Sequence, residues 1–229
     1  MPVTYALIPG AGGSAWYWHR VAPLLSGRGD DVIAIDLPAD DDSADLNTYA
    51  DIVCQAVSGA PTPLILVAQS MGAFTAPMVA KRVPTAEIIL VNPMVPAAGE
   101  APGQWWAATG QGQARIAYLR RIGLDRTDFD PIEDFFHDVP EAVRQVAFSQ
   151  PEPQQSDTPF DRPWPLQGWP DVPTRVVVGS DDRLFPLEFQ RRVVRERLGI
   201  DVEVIPGGHL VSLSQPEALA ERILSSKWR

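Results

Sequence analysis

Ala68-Gln69-Ser70-Met71-Gly72 is the segment of this chain best suited to covalent chemistry. It lies between an apolar run that reads as a buried strand and a run that reads as a helix. A serine on so tight a turn has its hydroxyl pushed above the sheet. Small residues are needed two positions before and after it, because the backbone folds back on itself there. Gly72 meets that need directly, and Ala68, where glycine is more usual, is still small. The following helix brings free N–H groups and a positive dipole end beneath the serine. The same residues would also suit a plain N-cap, so the motif has to be weighed with its partners.

A hydroxyl is a poor nucleophile at neutral pH and needs a base. The chain has three histidines. His19 follows Trp16-Tyr17-Trp18 and reads as a surface or packing residue. His137 follows Phe135-Phe136 in an irregular stretch with no fixed geometry. His209 ends Pro206-Gly207-Gly208-His209, a glycine-flanked loop after a strand, which points it to the same sheet edge as Ser70. Ligand sites in open α/β sheets lie at that edge. The base in turn needs a carboxylate to hold its tautomer. Asp181 and Asp182 both follow a strand, and either could serve, the other being a turn former or cap. An oxyanion would be held by the N–H of Met71 and by that of Ala11, in Gly10-Ala11-Gly12-Gly13. That loop lacks the Gly-x-Gly-x-x-Gly spacing, and no Gly-Lys-Ser/Thr follows, which argues against a phosphate-binding turn.

The elements that must position these residues are short and apolar. Strands are expected at residues 3–8, 32–35, 64–68, 87–91, 174–178 and 202–205, and helices at 16–25, 48–57, 72–82, 185–198 and 215–226. Asn47 or Thr48 is the expected N-cap of the second of these helices. Strands apolar throughout and separated by helices indicate a mainly parallel sheet of about six strands with helices on both faces. The alternation breaks between residues 94 and 171, where seven of the chain's 23 prolines fall within residues 151–173. This stretch reads as a helical cap inserted into a core made of residues 1–93 and 172–229. Asp40 to Asp45 reads as a solvated, mobile loop, Cys54 as a buried filler, and Arg191, Arg192, Arg195 and Arg197 as a solvent face.

Composition narrows the classes. The 229 residues are 45% hydrophobic and carry a formal net charge of −10. A chain of this length can bury a sizeable core. One cysteine excludes an internal disulfide framework and a cysteine-based zinc site. The acidic balance argues against nucleic acid. No apolar run approaches the ~20 residues that span a bilayer, and the start lacks the pattern of a signal peptide. A cytoplasmic protein without a membrane partner is expected, and a homodimer is compatible with the sequence.

Taken together, these segments resemble the α/β-hydrolase superfamily, and within it the plant methylesterase and hydroxynitrile lyase branch with its bacterial esterase-like relatives. Residues 8–18 are similar to that branch's oxyanion loop and first helix, Asp36-Leu37-Pro38 to its Asp-x-Pro turn, and Phe135-Phe136-His137-Asp138 to part of its cap. Gly207-Gly208-His209 followed by Gln215-Pro216-Glu217 is similar to its histidine loop and last helix. The resemblance implies an α/β-hydrolase fold with catalytic Ser70, Asp182 and His209, and it favours Asp182 over Asp181. Two departures stand out: Pro9, where many members have histidine, and Ala68. Lyases of the branch resemble one another in an oxyanion-loop threonine and a lysine after the histidine, and those positions are Gly10 and Leu210 here. The implied activity is hydrolysis of a small, largely apolar ester through an acyl-enzyme, with no metal or cofactor. A C–C hydrolase, a lyase-like enzyme on the same triad and a non-catalytic ligand-binding homologue are the alternatives. Gly10, Trp105, Phe135 and Leu210 are the expected pocket residues, with Trp106, Phe136 and Trp164 as further candidates.

Overall fold

The computed structural model describes residues 2–60 and 63–228. Six strands form one sheet: β1 (Thr4–Ile8), β2 (Asp31–Ala34), β3 (Leu64–Gln69), β4 (Glu87–Val91), β5 (Thr174–Gly179) and β6 (Glu203–Ile205). All neighbours pair in parallel, in the order β2-β1-β3-β4-β5-β6. The central strands β1, β3 and β4 are buried along their whole length because both faces of the sheet are covered there, while the edge strand β2 is half-buried or exposed. Along β3, Leu64, Leu66 and Ala68 pack into one core cluster while Ile65 and Val67 pack into the other. The first cluster is closed by α2 (Leu46–Ala56), α3 (Gly72–Ala80) and α9 (Leu187–Leu198). The second is closed by α1 (Ala22–Ser26), α10 (Val211–Ser214) and α11 (Pro216–Leu224). Five further helices lie between β4 and β5: α4 (Pro102–Thr109), α5 (Gln111–Arg121), α6 (Pro131–Phe135), α7 (Glu141–Ser149) and α8 (Thr158–Asp161). Among the described residues no helix is long and apolar enough to cross a membrane.

Five local expectations are corrected. The helix expected at residues 16–25 is a 3-10 turn over Ala15–Trp18 followed by the short α1. Pro23 has no N–H to donate back to residue 19, so it suits the first turn of a new helix rather than the interior of a long one. The cap of α2 is Asp45, not Asn47 or Thr48. Its carboxylate accepts the N–H groups of both, while Thr48 Oγ1 accepts the Asp45 N–H. The aspartate-rich loop is also tied down at Asp42, whose carboxylate accepts the Ser156 hydroxyl at 2.8 Å. On α9, Arg197 does not face solvent but pairs with Glu100 at 2.9 Å, and Cys54 is half-buried rather than buried.

The Asp45 cap yields a stability prediction. Hydrogen bonds from Thr48 and Asn47 outweigh the raising effect of burial and hold the Asp45 carboxyl below its usual range. Asp45→Ala should cost about 1 kcal/mol, read as a fall of about 2–4 °C in Tm for a domain of this size. A group with a depressed folded pKa stabilises above its unfolded value, and that contribution is lost as pH falls through the folded one. The gap between native and variant should therefore narrow as pH is lowered below about 4.

Candidate active site

The site begins with a strained turn. Ser70 follows β3 directly and has φ +49°, in the left-handed region that non-glycine residues avoid. Backbone bonds hold it there: its N–H donates to Val91 O at 3.0 Å, and its own carbonyl accepts from Met94 N–H at 3.0 Å and Ala73 N–H at 3.1 Å. The requirement for a small residue after the turn is visible at Gly72. A Cβ there would sit 2.7 Å from Pro9 O and 3.2 Å from Ile8 O. The first turn of α3 is thus pressed against the end of β1, where the glycine-rich loop begins.

Asp182 and His209, the expected acid and base, come from the ends of adjacent strands. Asp182, in the loop after β5, places Oδ2 2.8 Å from His209 Nδ1, in the loop after β6. Asp182 is wholly buried and His209 is 2% exposed. Asp182 Oδ1 accepts the N–H groups of Leu184 and Phe185, each at 2.8 Å, so the carboxylate is fully engaged. Asp181 does something else: it is exposed, and its Oδ2 accepts from Ser180 Oγ at 2.7 Å and Gly207 N–H at 3.4 Å. The two candidates left open by strand-end placement are therefore separated by geometry. Phe185 packs edge-on to the His209 ring at 4.9 Å between centroids and Phe135 lies tilted at 5.3 Å.

With Asp182 accepting from Nδ1–H, the lone pair of His209 lies on Nε2. That nitrogen faces the amide of Gln69, Nε2 to Nε2 at 3.1 Å. Ser70 Oγ makes no hydrogen bond to it among the described residues. Gln69 spans the site, because its Oε1 occupies the space in front of Gly10, 2.3 Å from where a Cβ would stand. The other histidines are elsewhere. His19 is exposed and stacks on Trp16, and His137 is held behind the histidine loop against Gly208, its pKa lowered chiefly by burial.

A pocket of about 440 Å³ opens onto Ser70 and Ala11. The N–H groups of Ala11 and Met71 have no acceptor among the described residues. The glycine-rich loop is braced from outside by Gln155, whose Oε1 accepts Gly12 N–H at 2.9 Å. Aromatic walls come from Trp106, Phe129, Phe135 and Phe160, and the polar ones from Gln111 and Arg115 on α5. Arg115 is held by Asp134, the Thr127 carbonyl and the Asp128 carbonyl. Hydrogen bonds from Arg126 and Arg115 overcome the effect of burial and keep Asp134 below the usual carboxylate range. Among the described residues no group of three His, Cys, Asp or Glu side chains is placed to hold a metal.

The structure brings Ser70, Asp182, His209, Ala11, Met71 and Phe135 to one sheet edge. It does not bring Trp105 or Leu210 to the pocket wall. Trp105 is fully buried, packed on Phe185 and Phe189 with its indole N–H on Val95 O, so its neighbour Trp106 takes the pocket side of α4. Leu210 packs against the second core cluster. Gly10 borders Gln69 and Ser70 without lining the cavity. Trp164 is also core, donating to Phe74 O, and Phe136 packs on Phe148. Gln111, Arg115 and Phe129 carry no motif in the sequence, and only the i, i+4 spacing of the first two on one helix face hints at a shared wall.

Residues 6–222 match the model of the alpha/beta hydrolase family. The chain is 23% identical to norfluorocurarine synthase 1 of Strychnos sp over 95% of its own length and 92% of that protein's. It is 22% identical to methylesterase 3 of Arabidopsis thaliana, over 95% and 93%. Its fold is similar to that of a pyrethroid hydrolase from Sphingobium faniae JZ-2, with a TM-score of 0.76 at 24% identity over 98% of this chain and 96% of the other.

The close approach at Gly72 gives a test of this geometry. Alanine is ordinarily favoured over glycine in a helix by roughly 1 kcal/mol. Gly72→Ala should nevertheless lower Tm, because the new methyl meets backbone oxygens that cannot move aside alone. Thermal unfolding checks this, and an unchanged or raised Tm would contradict the packing described.

Proposed function

The chain belongs to the alpha/beta hydrolase family, and we propose that it hydrolyses esters of small, largely apolar molecules through an acyl-enzyme at Ser70. The observation that carries this reading is the buried Asp182–His209 pair at 2.8 Å, set at the same sheet edge as the strained Ser70 turn. In this reading Ser70 Oγ attacks the ester carbonyl while His209 Nε2 takes its proton. The hydroxyl must first replace the Gln69 amide at that nitrogen, and catalytic hydrogen bonds often form only in the substrate complex. Asp182 keeps the proton on Nδ1 and stabilises the imidazolium. The N–H groups of Ala11 and Met71 hold the developing oxyanion. The C–O bond then breaks, and the departing alkoxide takes the Nε2 proton. Water, deprotonated by His209, attacks the acyl carbonyl and releases the acid and Ser70.

Residues 94–171 act in this account as a cap over a core of residues 1–93 and 172–229, since they supply the aromatic walls of the pocket. A cavity of about 440 Å³ falls within the usual range of small-molecule sites. Its mainly apolar lining suits an apolar acyl or alcohol group. The relative whose name denotes a methylesterase adds support for ester chemistry. The absence of a lysine after His209 favours hydrolysis over cyanohydrin cleavage, since Leu210 cannot stabilise a departing cyanide.

Two assays follow. On p-nitrophenyl acetate, Ser70→Ala and Asp182→Asn should each lower kcat by about 10⁴-fold, while Asp181→Asn stays close to the native enzyme. An equal loss in Asp181→Asn would contradict the assigned acid. Across p-nitrophenyl esters, acetate and butyrate should be cleaved with higher kcat/KM than laurate; a preference for laurate would overturn the size class.

A further inference from the structure

Asn92 stands immediately after β4, fully buried, with φ +43°. Besides Ser70 it is the only described non-glycine residue with positive φ. Asparagine tolerates that region better than most residues, but a position is held there only when its surroundings over-determine it. The surroundings of Asn92 do. Its Oδ1 accepts Gly179 N–H at 2.8 Å and the Gln190 amide at 3.2 Å. Its Nδ2 donates to Gly208 O at 3.0 Å and to His209 O at 2.9 Å. Both donors and both acceptor sites of the side chain are used. The orientation of the amide is forced, because a backbone N–H can only donate and the two carbonyls can only accept.

These four bonds reach different parts of the site. Gly179 ends the strand that carries Asp182, and Gln190 also touches Asp182 Oδ2 at 3.4 Å. Gly208 and His209 are the histidine loop itself. The backbone on either side of Asn92 holds the nucleophile turn, through Val91 O and Met94 N–H. The sheet order puts β4 between the strand of Ser70 and the strand that leads to Asp182, so from the end of β4 the Asn92 side chain reaches the acid strand and the histidine loop while the backbone beside it holds the Ser70 turn.

We propose that Asn92 is the positioning residue that fixes the acid strand and the histidine loop to each other and to the Ser70 turn. It touches no reacting atom. The proposal rests on the functional reading above for its kinetic consequence, but not for its structural one. Two variants test it. Asn92→Gly keeps the left-handed backbone without strain and removes all four side-chain bonds. Asn92→Asp is nearly isosteric and keeps the acceptors, but turns an oxygen against the carbonyls of Gly208 and His209. Both should remain folded by circular dichroism. On p-nitrophenyl acetate, kcat should fall about 10²-fold, the loss expected from a misplacement of ~1 Å, with KM little changed. The downfield ¹H resonance of His209 Nδ1–H, assigned by its disappearance in His209→Ala, should broaden or vanish in both variants. Folded variants that keep the native resonance and the native kcat would overturn the proposal, as would a kcat that falls only in step with the folded fraction. A native chain that shows the resonance but cleaves no ester would refute the functional reading alone, leaving the resonance comparison to decide Asn92.

Discussion

A carboxylate and an imidazole buried together at the end of a sheet impose most of the other requirements on this molecule. Taking Asp182 and His209 out of water is costly unless each is paired and its remaining hydrogen-bonding capacity is filled. The structure meets that demand on every side. Two backbone N–H groups and the Gln190 amide complete the carboxylate, and Phe185 and Phe135 flank the ring. The loops that carry the pair are brought together by the parallel pairing of β5 with β6, which aligns Val177, Val178 and Gly179 with Glu203, Val204 and Ile205. A parallel sheet places all of its C-terminal ends at one edge, so residues 27 positions apart in the chain meet there.

The Ser70 turn is the second constraint, and it is met by backbone hydrogen bonds and close packing together. A left-handed Ser70 is sustained by bonds to Val91 and Met94, and the α3 helix can start where it does only because Gly72 lets the backbone of β1 approach. The same crowding places Gln69 between the glycine-rich loop and His209. That amide satisfies the His209 Nε2 nitrogen, with no bond from Ser70. The proline-rich stretch before β5 closes the arrangement, since Gln155 braces Gly12 while its own amide donates to Ser156 O and Tyr49.

Much of this was legible in the residues. Strands buried on both faces carry continuous apolar runs, which is why residues 87–91 could be bounded to the residue and the others nearly so. Ser70, His209 and the two neighbouring aspartates were readable because strand–turn chemistry leaves glycines and polar residues at fixed places. What was not legible depended on partners far along the chain. The choice between Trp105 and Trp106 is made by which side of α4 meets Phe185 and Phe189. Asn92 sits in an unremarkable Val-Asn-Pro-Met run, and its role arises only when Gly179 and Gly208 close around it. The division of residues 16–25 was signalled by Pro23, whose missing N–H outweighs the helical pattern around it.

Everything proposed for this site depends on Ser70 being an activated nucleophile. Intact-mass spectrometry after incubation with a fluorophosphonate tests that without knowledge of the natural ester, comparing the native chain with Ser70→Ala. An activated Ser70 gives one adduct on the native chain and none on the folded variant. Equal labelling of Ser70→Ala, or a folded native chain that resists both the fluorophosphonate and a smaller sulfonyl fluoride, would contradict it.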